Sequence, residues 1–163
     1  MATGVARAES VRLAKRILEL DEQVAHNTKT MTRLIQQSPA KVLLDKIGIG
    51  PVTAAVVIAA WSHEGRLRDE AAFASLAGVN PIPASSGNTV RHRLNRGGDR
   101  ALNSALHMVT VSKMTHEAET RTYVAKRQAE HKTNREIRRC LKRYIARRVF
   151  RILNAQHKVL QPA

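Results

Sequence analysis

The sequence is poor in the residues that support several common kinds of site. Its single cysteine, Cys140, excludes an internal disulfide and a cysteine-rich zinc site. Aromatic residues make up only 3% of the chain, so a fold that stacks bases on aromatic side chains is not expected. The longest apolar run, Val52 to Trp61, is about half the length that a membrane span needs. No signal peptide is visible, so we expect a cytoplasmic protein that does not bind a membrane.

Positive charge, by contrast, is abundant and unevenly placed. The chain has 163 residues, a length typical of one domain, and carries 28 basic and 13 acidic residues. Residues 1–89 have a net charge of +2, whereas residues 90–163 have a net charge of +13. This asymmetry predicts that the second half faces a polyanion, because like charges on this scale oppose compact folding unless they are screened. A solvated basic face without a partner is the alternative.

Residues 9–37 are predicted to form one long helix. Apolar residues recur from Leu13 to Leu34 at alternating spacings of four and three, and Asn27 is the single polar member of this seam. No glycine or proline interrupts the pattern before Pro39. Two interpretations stay open: a coiled-coil arm that packs on a second copy or on another domain, or an ordinary core helix.

The next segment has the pattern of a helix-hairpin-helix. A short helix is predicted at residues 41–46, followed by a turn at residues 47–50 and a second helix that Pro51 opens and that runs to about Trp61. The glycines would let the backbone approach a phosphate, and the free N–H groups of the second helix would bind an anion. Ile49 would fill the gap between the helices. A plain αα-hairpin is the alternative.

The middle of the chain predicts a short helix followed by an extended segment and a loop. Asp69 is the expected N-cap of the helix and Gly78 its end. Residues 79–83 contain two prolines that disfavour a helix, so they should be extended. Residues 84–89 then form a polar loop that leads into residues 90–96.

Three helices are predicted after this loop. Asp99 caps a helix over residues 100–115, Thr120 caps a basic helix that reaches about His131, and Thr133 or Asn134 starts a last helix to about residue 154. The apolar stripe of the last helix is Ile137, Leu141, Tyr144, Ile145, Val149 and Ile152. Its basic residues are predicted phosphate contacts, with a solvated helix face as the alternative.

Together these elements predict a mainly α fold: a helical arm, a helix-hairpin-helix, a serine-bearing loop and a basic C-terminal helix. The expected domains are the arm at residues 1–40, a domain at residues 41–155 and a tail at residues 156–163.

Four stretches, taken in order, resemble the C-terminal part of insertion-sequence transposases of the IS one-ten type, the DEDD or bridge-RNA-guided recombinases, and the related Piv-type invertases. The first is the helical arm, and the second is the hairpin at residues 47–54. The third is residues 73–81. The fourth is Ser85-Ser86-Gly87 with the arginines and glycines of residues 91–102.

The resemblance implies a chemical role for the serine loop. In that family the serine before the glycine attacks a DNA phosphodiester and forms a phosphoserine link, which corresponds here to Ser86, with Ser85 the less favoured neighbour. A serine hydroxyl needs activation, and the attacked phosphate needs positive groups nearby. The predicted nucleic-acid contacts are Gly48, Gly50, Thr53, Arg91, Arg93, Arg96, Arg100, Arg138, Arg139, Lys142 and Arg143. A flexible turn without a catalytic role is the alternative for this loop.

The chain departs from the family in one respect. The family carries an N-terminal RuvC-like domain whose acidic residues bind a divalent metal, and this chain reaches the arm within ten residues of Met1. We therefore expect no cofactor in this chain, and we expect nucleic-acid binding without recombination by this chain alone.

The resemblance also implies partners and a location. They are DNA, a guide RNA and the bacterial nucleoid. The length and heptad spacing of residues 9–37 separately predict a homodimer or tetramer joined through the N-terminal helix. Two other hypotheses compete with a recombinase fragment: a non-enzymatic helix-hairpin-helix protein that binds DNA or RNA, and a structural RNA-binding protein.

Overall fold

A computed structural model describes the backbone of residues 2–85, 87–89 and 92–160, and the side chains of residues 4–85, 87–89 and 92–156. Most of this chain is helical, so the predicted mainly α fold is confirmed. The elements are α1 (Ala2–Gln36), a 3-10 helix (Pro39–Leu43), α2 (Pro51–Trp61), α3 (Glu70–Leu76), the strands β1 (Pro81–Pro83) and β2 (His92–Leu94), α4 (Arg100–His116), α5 (Ala118–Ala129) and α6 (Asn134–Leu160).

Helix α1 is joined to the rest of the molecule only near its C-terminal end. Residues 4–27 are all exposed, and the seam residues Leu13, Ile17 and Val24 are 48%, 58% and 63% exposed. Ile35, by contrast, is 5% exposed and lies in the core. The ordinary core-helix interpretation therefore does not apply to residues 4–27.

The first helix predicted for the hairpin is a 3-10 helix that begins at Pro39 instead of an α-helix at residues 41–46. Its start is fixed locally, because the Ser38 hydroxyl accepts the N–H of Ala40 at 3.2 Å and proline occupies the first position. Leu43 at its end is fully buried and anchors it to the core. Helix α2 spans Pro51–Trp61, as predicted.

The core lies between α4, α6 and the shorter helices packed around them. Helix α6 packs against α3, α4 and the 3-10 helix, and α4 also contacts α2. Phe73 on α3 and Phe150 on α6 stack with ring centroids 5.8 Å apart. Trp61 at the end of α2 donates its indole N–H to Asn154 of α6 at 2.8 Å. These contacts make α4 and α6 the frame on which the loops are held.

The extended segment between α3 and α4 forms a small β-hairpin. Asp69 caps α3, as predicted, by accepting the Ala72 N–H at 2.7 Å. The strands pair antiparallel with Pro81 opposite Leu94 and Pro83 opposite His92. The extended conformation predicted for residues 79–83 is confirmed at Pro81–Pro83, and the described residues of the polar loop, 84–85 and 87–89, lie between the two strands.

The junction between α4 and α5 differs from the prediction at Thr120. Helix α5 begins at Ala118, with Glu117 at the N-cap position, so Thr120 lies inside the first turn and is 7% exposed. Its hydroxyl donates to the Glu117 carboxylate, which also accepts the Lys113 ammonium. The prediction is wrong here because the sequence pattern does not distinguish the two positions. A serine or threonine before a basic run is equally compatible with the N-cap and with the first turn of a helix.

Helix α6 begins at Asn134, as predicted, and extends to Leu160, beyond the expected end. A capping box fixes its start: Glu136 accepts the Thr133 N–H at 2.8 Å, and the Thr133 hydroxyl accepts the Glu136 N–H at 3.3 Å. The predicted place of Tyr144 in the buried stripe is wrong, since this residue is 52% exposed. Of the predicted stripe, Ile137, Leu141, Ile145 and Val149 are buried. Ala146, Phe150 and Leu153 are buried as well, since α6 packs on α3 and the 3-10 helix in addition to α4.

Candidate nucleic-acid interface

The serine loop lies at the tip of the β-hairpin. Ser85 is exposed and follows the end of β1 by two residues. Ser86 and Arg91, two of the predicted site residues, lie outside the described residues. Arg93 is exposed on β2, where it pairs with Ile82 in the middle of the hairpin stem.

Side-chain and backbone hydrogen bonds fasten the base of this hairpin. The Asn95 amide donates to the Ser75 carbonyl at 3.1 Å and to the Asn80 side-chain oxygen at 2.8 Å. The N–H of Asp99 donates to the Leu76 carbonyl at 2.7 Å. The two legs of the hairpin are therefore fixed to each other and to the end of α3.

Two glycines bring the end of α3 against the start of α4. Gly78 has a φ of +65°, a conformation that glycine adopts without strain. A Cβ on Gly98 would lie 2.3 Å from the backbone nitrogen of Gly78, whereas a Cβ on Gly97 would meet nothing closer than 3.6 Å. Only glycine fits at position 98, because a side chain there would collide with the backbone of Gly78. This close crossing of the two backbone segments holds the hairpin base beside α4.

A cavity of about 460 Å³ lies at this base. Its lining residues are Gly78, Asn95, Arg96, Gly98, Arg100, Asn103, Ser104 and His107. Arg96 and Arg100 were predicted as nucleic-acid contacts, and the structure brings them together here. Ser104 and His107 were missed, although Arg100, Ser104 and His107 follow the helical spacing of four and three that marks one face of α4.

Lys142 of α6 reaches the wall of this cavity. Its ammonium donates to the side-chain oxygen of Asn103 at 2.6 Å, and burial lowers the pKa of this lysine below its ordinary value. Among the described residues no carboxylate forms an ion pair with Lys142, Arg96 or Arg100. The cavity therefore lies in a cationic region whose charge the fold does not neutralise by ion pairing.

The remaining basic residues of α6 divide into two groups. Arg147 and Arg151 both pair with Glu70 of α3, so part of their charge is neutralised. Arg138 and Lys142 are four residues apart and lie on the same side of the helix. Arg139 and Arg143, also four residues apart, lie about 100° further round the helix, and Arg143 is half-buried. Arg138 thus extends the cationic surface along α6 from Lys142.

The glycine turn between the 3-10 helix and α2 occupies a separate place. Gly48, with a φ of +83°, packs against Ser112 of α4, where a Cβ would lie 2.9 Å from the serine Cβ. Ile49 is 6% exposed, which confirms the prediction that it fills the space below the turn. The turn therefore contacts α4 at Val109 and Ser112, whereas the cavity is lined by residues of α4 from Arg100 to His107.

The predicted contacts at this turn remain accessible to different degrees. Gly50 is exposed with open space where a Cβ would be, while Thr53 is half-buried in the first turn of α2. No side chain caps α2. The turn and the cavity are thus formed by different residues.

Comparison with known proteins places this arrangement in a family. Residues 40–125 match the profile of the Transposase IS116/IS110/IS902 family, which is more than half of the chain. The chain belongs to this transposase family. It is also 29% identical over 124 residues to a Streptomyces coelicolor protein described as "Insertion element IS110 uncharacterized 43.6 kDa protein". That alignment covers 75% of this chain and 31% of the relative.

The region matched by the transposase family profile runs from the 3-10 helix to the middle of α5. It includes the glycine turn, the serine hairpin and all residues that line the cavity. The basic residues of α6 lie beyond it, so their place at the interface rests on the contact between Lys142 and Asn103.

The metal implied by the resemblance finds no site in the described part of the chain. No three histidine, cysteine, aspartate or glutamate side chains there lie close enough to hold a metal ion. We therefore assign no step to a metal held by these residues. Among the described helices, none is long and apolar enough to cross a membrane.

Proposed function

We propose that this chain is the DNA-binding, serine-bearing part of a transposase that acts in DNA transposition. The observation that carries the proposal is the β-hairpin with strands Pro81–Pro83 and His92–Leu94, which has Ser85 exposed between its strands and is fixed at its base against a cationic cavity. Membership in a transposase family supports the proposal.

In the proposed reaction the hydroxyl of Ser86 attacks the phosphorus of a DNA phosphodiester. A bond forms between the serine oxygen and phosphorus, a bond from phosphorus to a strand oxygen breaks, and the serine proton ends on the departing oxygen. Negative charge grows on the attacked phosphate, so cations at the hairpin favour the reaction. Arg93 on β2 and Arg91 are the candidates, with Ser85 as the alternative nucleophile.

The interface with DNA includes the cationic surface that runs from Arg100 through Lys142 to Arg138. These groups bind phosphates rather than bases, so they provide affinity without sequence recognition. The glycine turn at residues 48–50 adds a second backbone contact if it acts as a helix-hairpin-helix. Sequence choice then belongs to a guide RNA, as the resemblance implies.

We also propose that α1 pairs with α1 of a second copy, in a homodimer or a tetramer. The heptad seam runs along an exposed stretch of helix, with Ile17 58% and Val24 63% exposed. Burying such a seam against its equivalent removes apolar surface from water, and the single Asn27 fixes the register.

Covalent capture of DNA tests the catalytic part of the proposal. The chain, supplied with a RuvC-like partner domain, a guide RNA and a labelled DNA target, should form a denaturation-resistant adduct that mass spectrometry maps to the serine. Ser86→Ala should abolish the adduct and leave binding nearly unchanged, while Ser85→Ala should retain it. The chain without the partner domain should bind DNA and form no adduct.

A non-enzymatic helix-hairpin-helix protein that binds DNA or RNA is the competing function. It predicts binding but no adduct under any of these conditions. An adduct that survives both serine substitutions would exclude the proposed nucleophile.

A further inference from the structure

The cavity at the base of the hairpin is separate from the serine at its tip. Ser85 follows Pro81, the first residue of β1, by four residues, and an extended chain rises about 3.4 Å per residue, so Ser85 lies at most about 14 Å from the hairpin base. Successive phosphates along one strand of a duplex rise about 3.4 Å along the axis. A strand that reaches both places therefore presents different phosphates to them.

We propose that this cavity holds one phosphodiester of the nucleic-acid backbone, several nucleotides from the bond that the serine attacks, and that Arg96, Arg100, Ser104 and His107 are its contacts. The proposal rests on the proposed function and names a subsite within it. Ser104 and His107 enter as binding residues that the sequence did not single out.

The charge of the site favours an anion. Two guanidinium groups line the cavity, and none of its lining residues is acidic. The nearby carboxylate of Asp99 is occupied as the N-cap of α4, where it accepts the Leu102 N–H at 2.8 Å. Lys142 lies next to the cavity and donates its ammonium to the neutral side-chain amide of Asn103. Burial disfavours the charged form of this lysine, and an anion bound in the cavity would stabilise it.

The polar groups that remain available suit a phosphate rather than a base. Asn95 donates to Ser75 and Asn80 and accepts the Gly97 N–H at 2.9 Å, so its hydrogen-bonding groups are used within the fold. Asn103 donates to the Ala77 carbonyl at 2.7 Å and accepts from Lys142. With both amides engaged and no aromatic side chain in the lining, the cavity has no free amide to pair with adenine and no ring on which a base could stack.

The site is also held in place. The Gly78–Gly98 crossing and the hydrogen bonds of Asn95 fix the cavity relative to the hairpin stem. A phosphate bound there would orient the strand along the hairpin toward the tip, which makes this a positioning subsite and not part of the reacting centre.

Salt titration of binding to single-stranded and duplex oligonucleotides tests the proposal. The double variant Arg96→Gln/Arg100→Gln should reduce the slope of log K against log salt by about 0.7 to 0.9 for each phosphate that the variant no longer binds. The matched control, Arg7→Gln/Lys29→Gln, removes the same charge from exposed positions on α1 and should change the slope much less. Equal changes in the two variants would overturn the subsite.

Thiol protection locates the strand. In a Cys140→Ser background, a cysteine introduced by Ser104→Cys should react several-fold more slowly with a thiol reagent once an oligonucleotide is bound. A cysteine introduced by Thr115→Cys, exposed further along α4, should be protected less. DNA and RNA strands should protect the cysteine at position 104 equally, since both contain phosphodiesters. Protection by only one of them would identify which nucleic acid supplies the bound phosphodiester.

The outcomes separate this subsite from the proposed function. If the wild-type chain shows no salt-dependent binding at all, the proposed function fails. If wild-type binding depends steeply on salt, but the cavity variant has an unchanged slope and position 104 is unprotected, only the subsite fails.

Discussion

At the scale of single residues, glycines act by letting backbones meet. Gly98 lies against Gly78, and the space for a side chain is absent there, whereas Gly97 next to it has room for a Cβ. The adjacent pair therefore offers a substitution and its control within two positions.

Gly98→Ala should lower the free energy of unfolding by about 2 kcal/mol, because the backbones of α3 and α4 must separate to admit the methyl group. Gly97→Ala should change it by less than about 0.5 kcal/mol. Denaturant unfolding of both variants measures the difference, and similar values for the two would show that the crossing is not tight.

Lys142 illustrates a residue whose charge the fold does not use. Burial lowers its pKa, so the charged form is less favourable in the folded than in the unfolded state, and stability should rise as pH increases from the folded pKa toward the ordinary lysine value. The function proposed for the interface supplies a reason for keeping the charge.

Lys142→Gln should leave the melting temperature unchanged or slightly raised, since glutamine can still donate to Asn103. The same variant should weaken DNA binding. Thermal unfolding and a binding titration at one salt concentration measure the two effects. A variant that melts well below the wild type and binds equally well would assign Lys142 a structural role only.

Residue-scale prediction from the sequence succeeded where the cause is local. The caps at Asp69 and Asp99 and the turn at Gly78 follow from side-chain and backbone preferences within a few positions. Ser104 and His107 were missed, because the cavity that they line with Asn95 and Arg96 forms only in the folded chain, and nothing near them in the sequence indicates it.

At the scale of elements, the α4–α5 junction depends on one carboxylate. Burial acts to raise the pKa of Glu117, but hydrogen bonds from Lys113 and Thr120 outweigh it and lower the pKa below its ordinary value. The Lys113 side chain is only 11% exposed, so it would be left with a buried charge if Glu117 were neutral.

Glu117→Gln should lower the free energy of unfolding by about 2 kcal/mol at pH 7. Because the folded pKa of Glu117 is lowered, its contribution is present above about pH 4.3 and is lost as pH falls through the folded pKa. The stability difference between wild type and variant should therefore shrink in acid. Glu119→Gln, an exposed carboxylate in the first turn of α5, is the control and should leave the free energy of unfolding nearly unchanged at pH 7.

Helix α1 makes its own prediction. If its seam joins two copies, Ile17→Asp/Val24→Asp should convert a self-associating chain into a monomer in sedimentation velocity, because charges would then enter the apolar contact. Leu18→Asp, 64% exposed but outside the seam, should not. A wild-type chain that is monomeric at all concentrations would contradict the pairing.

Element existence was predicted better than element packing. Proline and glycine positions placed α2 and the extended segment at Pro81–Pro83 correctly. The predicted buried face of α6 is wrong at Tyr144, because a single straight stripe does not describe a helix that meets different neighbours along its length.

At the scale of the whole molecule, charge and fold divide between the two halves of the chain. The nearly neutral half provides α1, the glycine turn and much of the core, and the half with a net charge of +13 provides the cavity arginines and α6. Glu70 neutralises part of α6, while the surface around Arg138 and Lys142 has no ion-pairing carboxylate among the described residues. The charge asymmetry was readable from the sequence; its convergence on one cavity required the tertiary contacts.

The dependence of DNA binding on salt tests the central claim most directly, since the claim is that a cationic helical surface holds a phosphate backbone. Between about 50 and 200 mM salt, log K for the wild-type chain should fall linearly against log salt with a slope of about −4 or steeper, as expected for contacts to five or more phosphates. A slope between zero and about −1 would contradict the account, because it would mean that this surface does not bind a polyanion.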